Sequence, residues 1–481
     1  MMPDGLPEGF RAIGKTSQGS SGGAFGLACD EGHQVWLHVE GEEAAGFDGD
    51  ATLSGKLCPL SAENARRLGE FLPWLRPQRI PTDQASFGFG DRLGLAAPGH
   101  IRSLKGHSVF PVLAQQSVRE NARTGRTFSD VLKDAVFAAL REGYQGGFGA
   151  DADHLKEVDD AIEAAQLGYT FFTCDPGDLL EDISSLESGE LERRFAAIPE
   201  GQSLTKRYAD QSFGLRDPVV YHFTEDQFLR TAVKFEVAID RAARMYEAIH
   251  AIQGDAFDYE VSVDETSVPT SPLEHLYVAM ELERRGVKLA SLAPRFVGAI
   301  EKGVDWRGDR EAFDRQLHEH ALIARSAGTY RLSLHSGSDK YSIYPALVAE
   351  TKGRCHIKTA GTSYLVALQV VAAHDKPLFR EILRQSLAAF AADKATYHIS
   401  ADPARIPAAD QLKDDDLVGL VEQHDSRQLL HVAFGSIVHG PLGDDLRAVL
   451  VENEDAHFEA VAKHMQRHLD AMQTMEVESD G

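Results

Sequence analysis

One unit recurs along this chain: a short apolar or β-branched run, a polar or glycine-containing tip, then a helical pattern. About eight runs of this kind follow one another, which is the repeat that a (β/α)8 barrel needs. They lie at 93–100 (LGLAAPGH), 109–116 (VFPVLAQQ), 146–154 (GGFGADADH), 169–175 (YTFFTCD), 259–265 (YEVSVDE), 289–296 (LASLAPRF), 330–340 (YRLSLHSGSDK) and 354–364 (RCHIKTAGTSY). Helical periodicity fills most of the gaps, at 127–142, 155–165, 227–252, 272–285, 310–326 and 364–391. The segment 101–106 is too short for a full helix, so a doubly wound open sheet is the alternative fold.

A barrel of this type takes about 250 residues, so of the 481 residues here roughly half are surplus. The surplus divides the chain into a β-containing N-terminal cap over 1–85, a catalytic barrel over 86–396 with an insertion at about 176–226, and an α-rich C-terminal extension over 397–481. The cap carries a strand pattern at 34–40 (QVWLHVE), and the extension closes on an amphipathic helix at 455–472.

A formal net charge of -25 argues against nucleic-acid or anionic-membrane partners, because phosphate backbones demand clustered Lys and Arg. Cys29, Cys58, Cys174 and Cys355 form no CxxC pair, and no run approaches a membrane span or a secretory signal. A cytoplasmic protein is the expectation. The glycine-rich runs SSGGAFG (20–26) and GYQGGFG (143–149) lack the spacing and strand–helix context of nucleotide fingerprints. An assembly of identical copies stays open.

Candidate chemistry gathers at the strand tips, where a barrel keeps its active site. Ser333 and His335 alternate with Leu332 and Leu334, and His356 and Lys358 with Cys355 and Ile357. If the apolar phase packs on the helices, both imidazoles face the barrel interior on neighbouring strands, near enough to share a divalent cation. A lone His at a strand end is usually a hydrogen-bonded structural residue; two on adjacent strands shift the balance towards a site. His154 in GADADHLK is the third candidate ligand. Asp153 beside it reads as an N-cap for the following helix and as a candidate acid–base group. Asp264 and Glu265 end another strand, and parity alone does not choose between them. For substrate contacts the tips offer Gln116, Arg295, Ser336, Lys340 and Lys358, the two lysines being candidates for an anion.

The runs FGFGDRLGLAAPGHIR (87–102), GADADHLK (149–156), SVDETSVPTSPLEHLYVAMELERRGVKLASLAPRF (262–296) and LSLHSGSDKYSIYP ending at Pro345 resemble the tagaturonate/fructuronate epimerase family of hexuronate catabolism. The resemblance covers most of 85–395. It implies a metal-dependent isomerase acting on a sugar acid or the neutral ketohexose pair, with a divalent cation such as Zn, Mn, Ni or Fe. It carries metal roles to His154, His335 and His356 and acid–base roles to Asp153 and Glu265, leaving Asp264, Glu265 and His154 as alternatives within the ligand set. The carbon inverted in that reaction lies β to the ketone, so removing its C–H proton gives no enolate. Retro-aldol cleavage and re-addition is therefore favoured over hydride departure and return, which needs an acceptor. An aldose–ketose isomerase and a non-catalytic sugar-acid binder are the competing readings.

Overall fold

The computed structural model describes residues 6–19, 22–215 and 219–473. Ser20 and Ser21 of the glycine-rich run, and residues 216–218 of the expected insertion, lie outside them. Eight parallel strands close into a barrel: β1 (Ser86–Phe89), β2 (Phe110–Ser117), β3 (Gly149–Leu155), β4 (Phe171–Cys174), β5 (Asp258–Val263), β6 (Ser291–Pro294), β7 (Arg331–Leu334) and β8 (Cys355–Thr359). They pair in chain order, and β8 returns to β1 through His356↔Ser86 and Lys358↔Gly88. Closure rules out the open sheet.

Two-residue alternation explains the layering. Leu332, Leu334, Cys355 and Ile357 turn outward and are buried in the principal core, whereas their inward neighbours are polar. The interior is occupied by Asp151, Asp153, Thr173, Glu260, Ser291, Ser333, His356 and Lys358, all buried. Such a polar barrel centre is tolerated only if its groups satisfy one another.

The first strand differs from its sequence expectation. The run 93–100 is not a strand: Ala97–Ser103 is a helix with Pro98 in its first turn, where a fixed φ and a missing N–H suit helix initiation. The strand lies just before it, in the four residues Ser86–Phe89. Phe87 and Phe89 pack outward, and Gly88 leaves room inside for Gln115, whose Oε1 would lie 1.9 Å from a Cβ there. Four residues, one of them Gly88, followed by Gly90 give little periodic signal. The helical pattern at 364–391 is two helices, Thr362–His374 and Lys376–Asp393, because Asp375 caps the second and Pro377 cannot continue the first. A helix at Tyr344–Thr351 completes the β7–β8 crossover.

The other crossovers start with strong signals. Thr127 with Asp130, Thr224 with Gln227 and Ser271 with Glu274 form capping boxes that satisfy the first free N–H groups. The β4–β5 connection contains helices Ser188–Ala196 and Gly201–Tyr208, a small hairpin, and the long helix Glu225–Gln253. Before the barrel stands a five-stranded antiparallel sheet spanning Arg11 to Cys58 that includes Val35–Glu40. After the barrel, short helices lead to Glu454–Met472, which packs along Ala97–Ser103. No helix among the described residues is long and apolar enough to cross a membrane.

Candidate active site

The carboxyl ends of the strands open into a cavity of about 600 Å³, lined by His154, Asp264, Glu265, Arg295, His335 and Ser336 among others. A β-bulge sits between Ala152 and Leu155 of β3, and His154 within it has φ 53°. An extra residue in the bulge lets consecutive side chains, Asp153 and His154, both serve the interior. Ser336, just past β7, is likewise left-handed at φ 50°. Non-glycine residues held there cost free energy and cluster at functional sites.

Candidate ligand atoms of His154, Asp264 and His335 lie within 4.8 Å of one another, and so do those of His154, Asp175 and Glu265. The His154 and His335 rings are 4.8 Å apart. His335 Nε2 is 2.7 Å from Glu260 Oε1, and its Nδ1 is 3.4 Å from Asp264 Oδ1. Burial disfavours the charged imidazole, yet Asp264 and Glu260 overcome it and raise His335 to about 10. The parity question over Asp264 and Glu265 has a structural answer. Asp264 accepts from the Ser262 hydroxyl and faces His335, whereas Glu265 faces Arg119, with 3.7 Å between Oε1 and Nη2.

His356 stands apart from this group. The register places His356 opposite Ser333, one inward layer below His335, so the residue level with His335 is Lys358. His356 Nδ1 is 2.9 Å from Ser86 Oγ, its ring lies edge-on to Phe171 at 5.2 Å, and burial lowers it to about 3. It belongs to none of the ligand groups found among the described residues. The two histidines are on adjacent strands, as expected, but at different heights, because His335 follows the last residue of β7 whereas His356 is the second residue of β8.

Lys358 is equally committed. Its ammonium, 3% exposed, lies 2.7 Å from Asp151 Oδ2, 2.8 Å from Asp153 Oδ1 and 2.9 Å from Glu260 Oε1, and donates to Thr173. Burial, with the neighbouring charges of Asp153 and Glu260, raises Asp151 to about 7 despite Lys358, whereas Lys358 and its histidine neighbours overcome burial and hold Asp153 and Glu260 well below the ordinary carboxylate range. Asp153 is therefore not a helix cap. It is an inward residue of β3, and the next helix starts at Val158 with Glu157 at its N-cap. Asp153 Oδ1 is also 2.8 Å from His154 Nδ1, although that nitrogen has no hydrogen bond of good geometry.

Lys340 does not reach the cavity. Its ammonium donates to the carbonyls of Glu301 (2.8 Å), Val304 (2.5 Å) and Ser338 (2.9 Å), which uses all three hydrogens beneath the loop that follows β6. Gln116 turns away too and donates to Glu120, the partner of buried Arg92. Ser336 and Arg295 do line the cavity, and Arg295 Nη1 donates at 3.5 Å to the Asp264 carbonyl.

Several site residues went unnoticed in the sequence. Glu260 shares the inward phase of β5 with Ser262, so alternation could have found it. Asp175, buried past the tip of β4, is raised by burial and by Glu265 beside it. Arg119, Lys302, Tyr397 and His398 come from segments without periodicity, and nothing in their spacing marks them.

The architecture and the site agree with comparisons to known proteins. The tagaturonate epimerase family model matches residues 30–472. This chain belongs to that family. It is 45% identical over 417 residues to the tagaturonate/fructuronate epimerase of Thermotoga maritima, covering 86% of each chain. Crystal structures of the fructuronate-tagaturonate epimerase of Cohnella laeviribosi superpose with TM-scores of 0.89 (glycerol complex) and 0.90 (native), at 35% identity and 95% coverage of both chains. The chain is thus an enzyme of the isomerase class, a carbohydrate epimerase built on a (β/α)8 barrel.

Proposed function

We propose that the enzyme interconverts D-tagaturonate and D-fructuronate by inverting the hydroxyl-bearing carbon β to the ketone, with a divalent cation held by His154, Asp264 and His335. The observation that carries this reading is the convergence of those three side chains from three different strand ends on the wall of one cavity. Two imidazoles and one carboxylate are a donor set suited to a first-row divalent cation. When bound, the cation supplies Lewis-acid stabilisation of negative charge developing on the substrate carbonyl oxygen.

The protein's own groups supply the proton transfers. Glu265, partly exposed on the cavity wall, takes the proton of the hydroxyl on the inverted carbon. The C–O electrons form the aldehyde, the bond to the α carbon breaks, and its electron pair moves to the ketone to give an enediolate. After the aldehyde turns its other face, the bond re-forms and Glu265 returns the proton. Asp175, whose ligand oxygen is within 4.8 Å of the Glu265 carboxylate, is raised by burial and by that neighbouring charge. Asp153 sits behind His154 and acts by orienting it rather than by touching substrate.

Incubation with fructuronate and a divalent ion, followed by NMR, tests the activity: tagaturonate is the expected product, and a product with its carbonyl moved along the chain supports the isomerase reading instead. Deuterium on the inverted carbon tests the chemistry. Cleavage of the carbon–carbon bond leaves that C–H bond intact, so a large primary deuterium isotope effect on kcat would sink the retro-aldol route.

A further inference from the structure

A hexuronate brings a carboxylate, and the two lysines that the sequence singles out for it are both occupied elsewhere. The cavity wall holds three other cations: Arg119, Arg295 and Lys302. Arg119 lies over the Tyr397 ring at 5.1 Å and 3.7 Å from Glu265, and Arg295 leans on the Asp264 carbonyl. The Lys302 ammonium has no hydrogen bond or ion pair among the described residues, although it is half-buried. Burial above all, with the nearby cations Arg119 and Arg92, disfavours its charge and leaves it lowered despite Glu120 and Glu265. A lysine kept there without a partner has a cost that an incoming anion removes.

The backbone under Lys302 is held on every side. Lys340 takes the carbonyls of Glu301 and Val304, Gln428 takes that of Lys302 at 3.3 Å, and Arg427 takes that of Gly303 at 2.5 Å. Gly303 is at φ 72°, a turn that lets four consecutive carbonyls point down into these donors. Above them, Trp306 Nε1 closes the loop on the Val297 carbonyl at 2.9 Å. The buried cations thus fix the loop, and the one lysine side chain it carries is left to the cavity.

We propose that Lys302, with Arg119 beside it, binds the substrate carboxylate and sets the preference for a hexuronate over the corresponding neutral ketohexose. The proposal rests on the epimerase reading above. Lys340 then is a positioning residue for Lys302.

The test compares kcat/KM for fructuronate and for fructose in wild type, Lys302→Met and Lys302→Arg, with melting curves alongside. In Lys302→Met the ratio of fructuronate to fructose should fall about 10- to 100-fold, the range of a hydrogen bond between two charged partners. Lys302→Arg keeps the charge and should restore most of the ratio. Because the loop is held through its backbone, both variants should melt with wild type. An unchanged ratio, or equal losses on both sugars, overturns the role of Lys302 while leaving the epimerase reading intact. A wild type that epimerises neither sugar in the presence of divalent ions overturns both.

Discussion

Replacing Lys358 with methionine removes the one ammonium that sits among Asp151, Asp153 and Glu260 and leaves three carboxylates facing one another inside the barrel. Breaking a buried ion pair from one side costs about 3–5 kcal/mol, because the abandoned charge stays desolvated. With an unfolding entropy of about 2.1 cal/mol/K per residue, 481 residues give about 1 kcal/mol/K, so this loss lowers Tm by about 3–5 °C. The sign of the pH dependence follows from the same contacts. Asp153 and Glu260 are held below their unfolded values, so their stabilisation is present above about pH 4 and lost as pH falls through the folded values. Without Lys358 those carboxylates rise above the unfolded values, and the penalty is then paid at high pH and relieved by protonation. The gap in Tm between wild type and Lys358→Met should therefore be widest near pH 8 and narrow towards pH 5, as differential scanning calorimetry can follow. A variant that melts with wild type at pH 8 but shows a raised KM for fructuronate would refute this account and make Lys358 a substrate contact.

His335→Ala should lose both bound divalent metal and activity, measured by metal analysis of dialysed protein; full turnover by chelator-treated wild type would refute the metal reading. His356→Ala should keep its metal and instead lose about 1–3 kcal/mol of stability, because Ser86 loses its buried partner one layer below; loss of stoichiometric metal in that variant would return His356 to the ligand set. Glu265→Gln should slow both directions by about 10²-fold or more with metal content retained, as removal of a general acid–base group does; near-normal rates would pass the role to Asp175.

The strand–helix rhythm was legible because inward and outward phases differ so strongly in polarity on β5, β7 and β8. Where a strand is four residues with a glycine inside it and another after it, as in β1, there is no phase to read, and the apolar run that follows mimics a strand although Pro98 begins a helix there. Site residues on strands were found by type but not by height: alternation says which face a side chain takes, while the stagger between neighbouring strands decides which residues are level. That stagger separates His356 from His335 and brings Lys358 beside it. His154 and Asp153 carry a bulge that no spacing rule anticipates. Arg119 lies on the short helix Val118–Thr124 and Lys302 on a loop, where function depends on tertiary support from residues such as Arg427, more than a hundred positions away.

The helix Glu454–Met472 sends His464 and His468 to Asp339, just past β7, where His464 Nε2 is 3.1 Å from Oδ1 and Arg427 adds a 2.8 Å contact to Oδ2. Asp339 also fixes His468, whose Nε2 accepts from its backbone N–H while Nδ1 faces the His464 carbonyl, so that ring has no lone pair left for a metal. During synthesis all eight strands are made before Tyr397, His398, Arg427 and this helix. Until then the nascent chain lacks part of the cavity wall and the clamp on the Lys302 loop. Competence depends on the last segment made: Val461, Met465 and Leu469 of that helix belong to the principal core, and a chain cut short after β8 lacks both their packing and a finished place for the sugar.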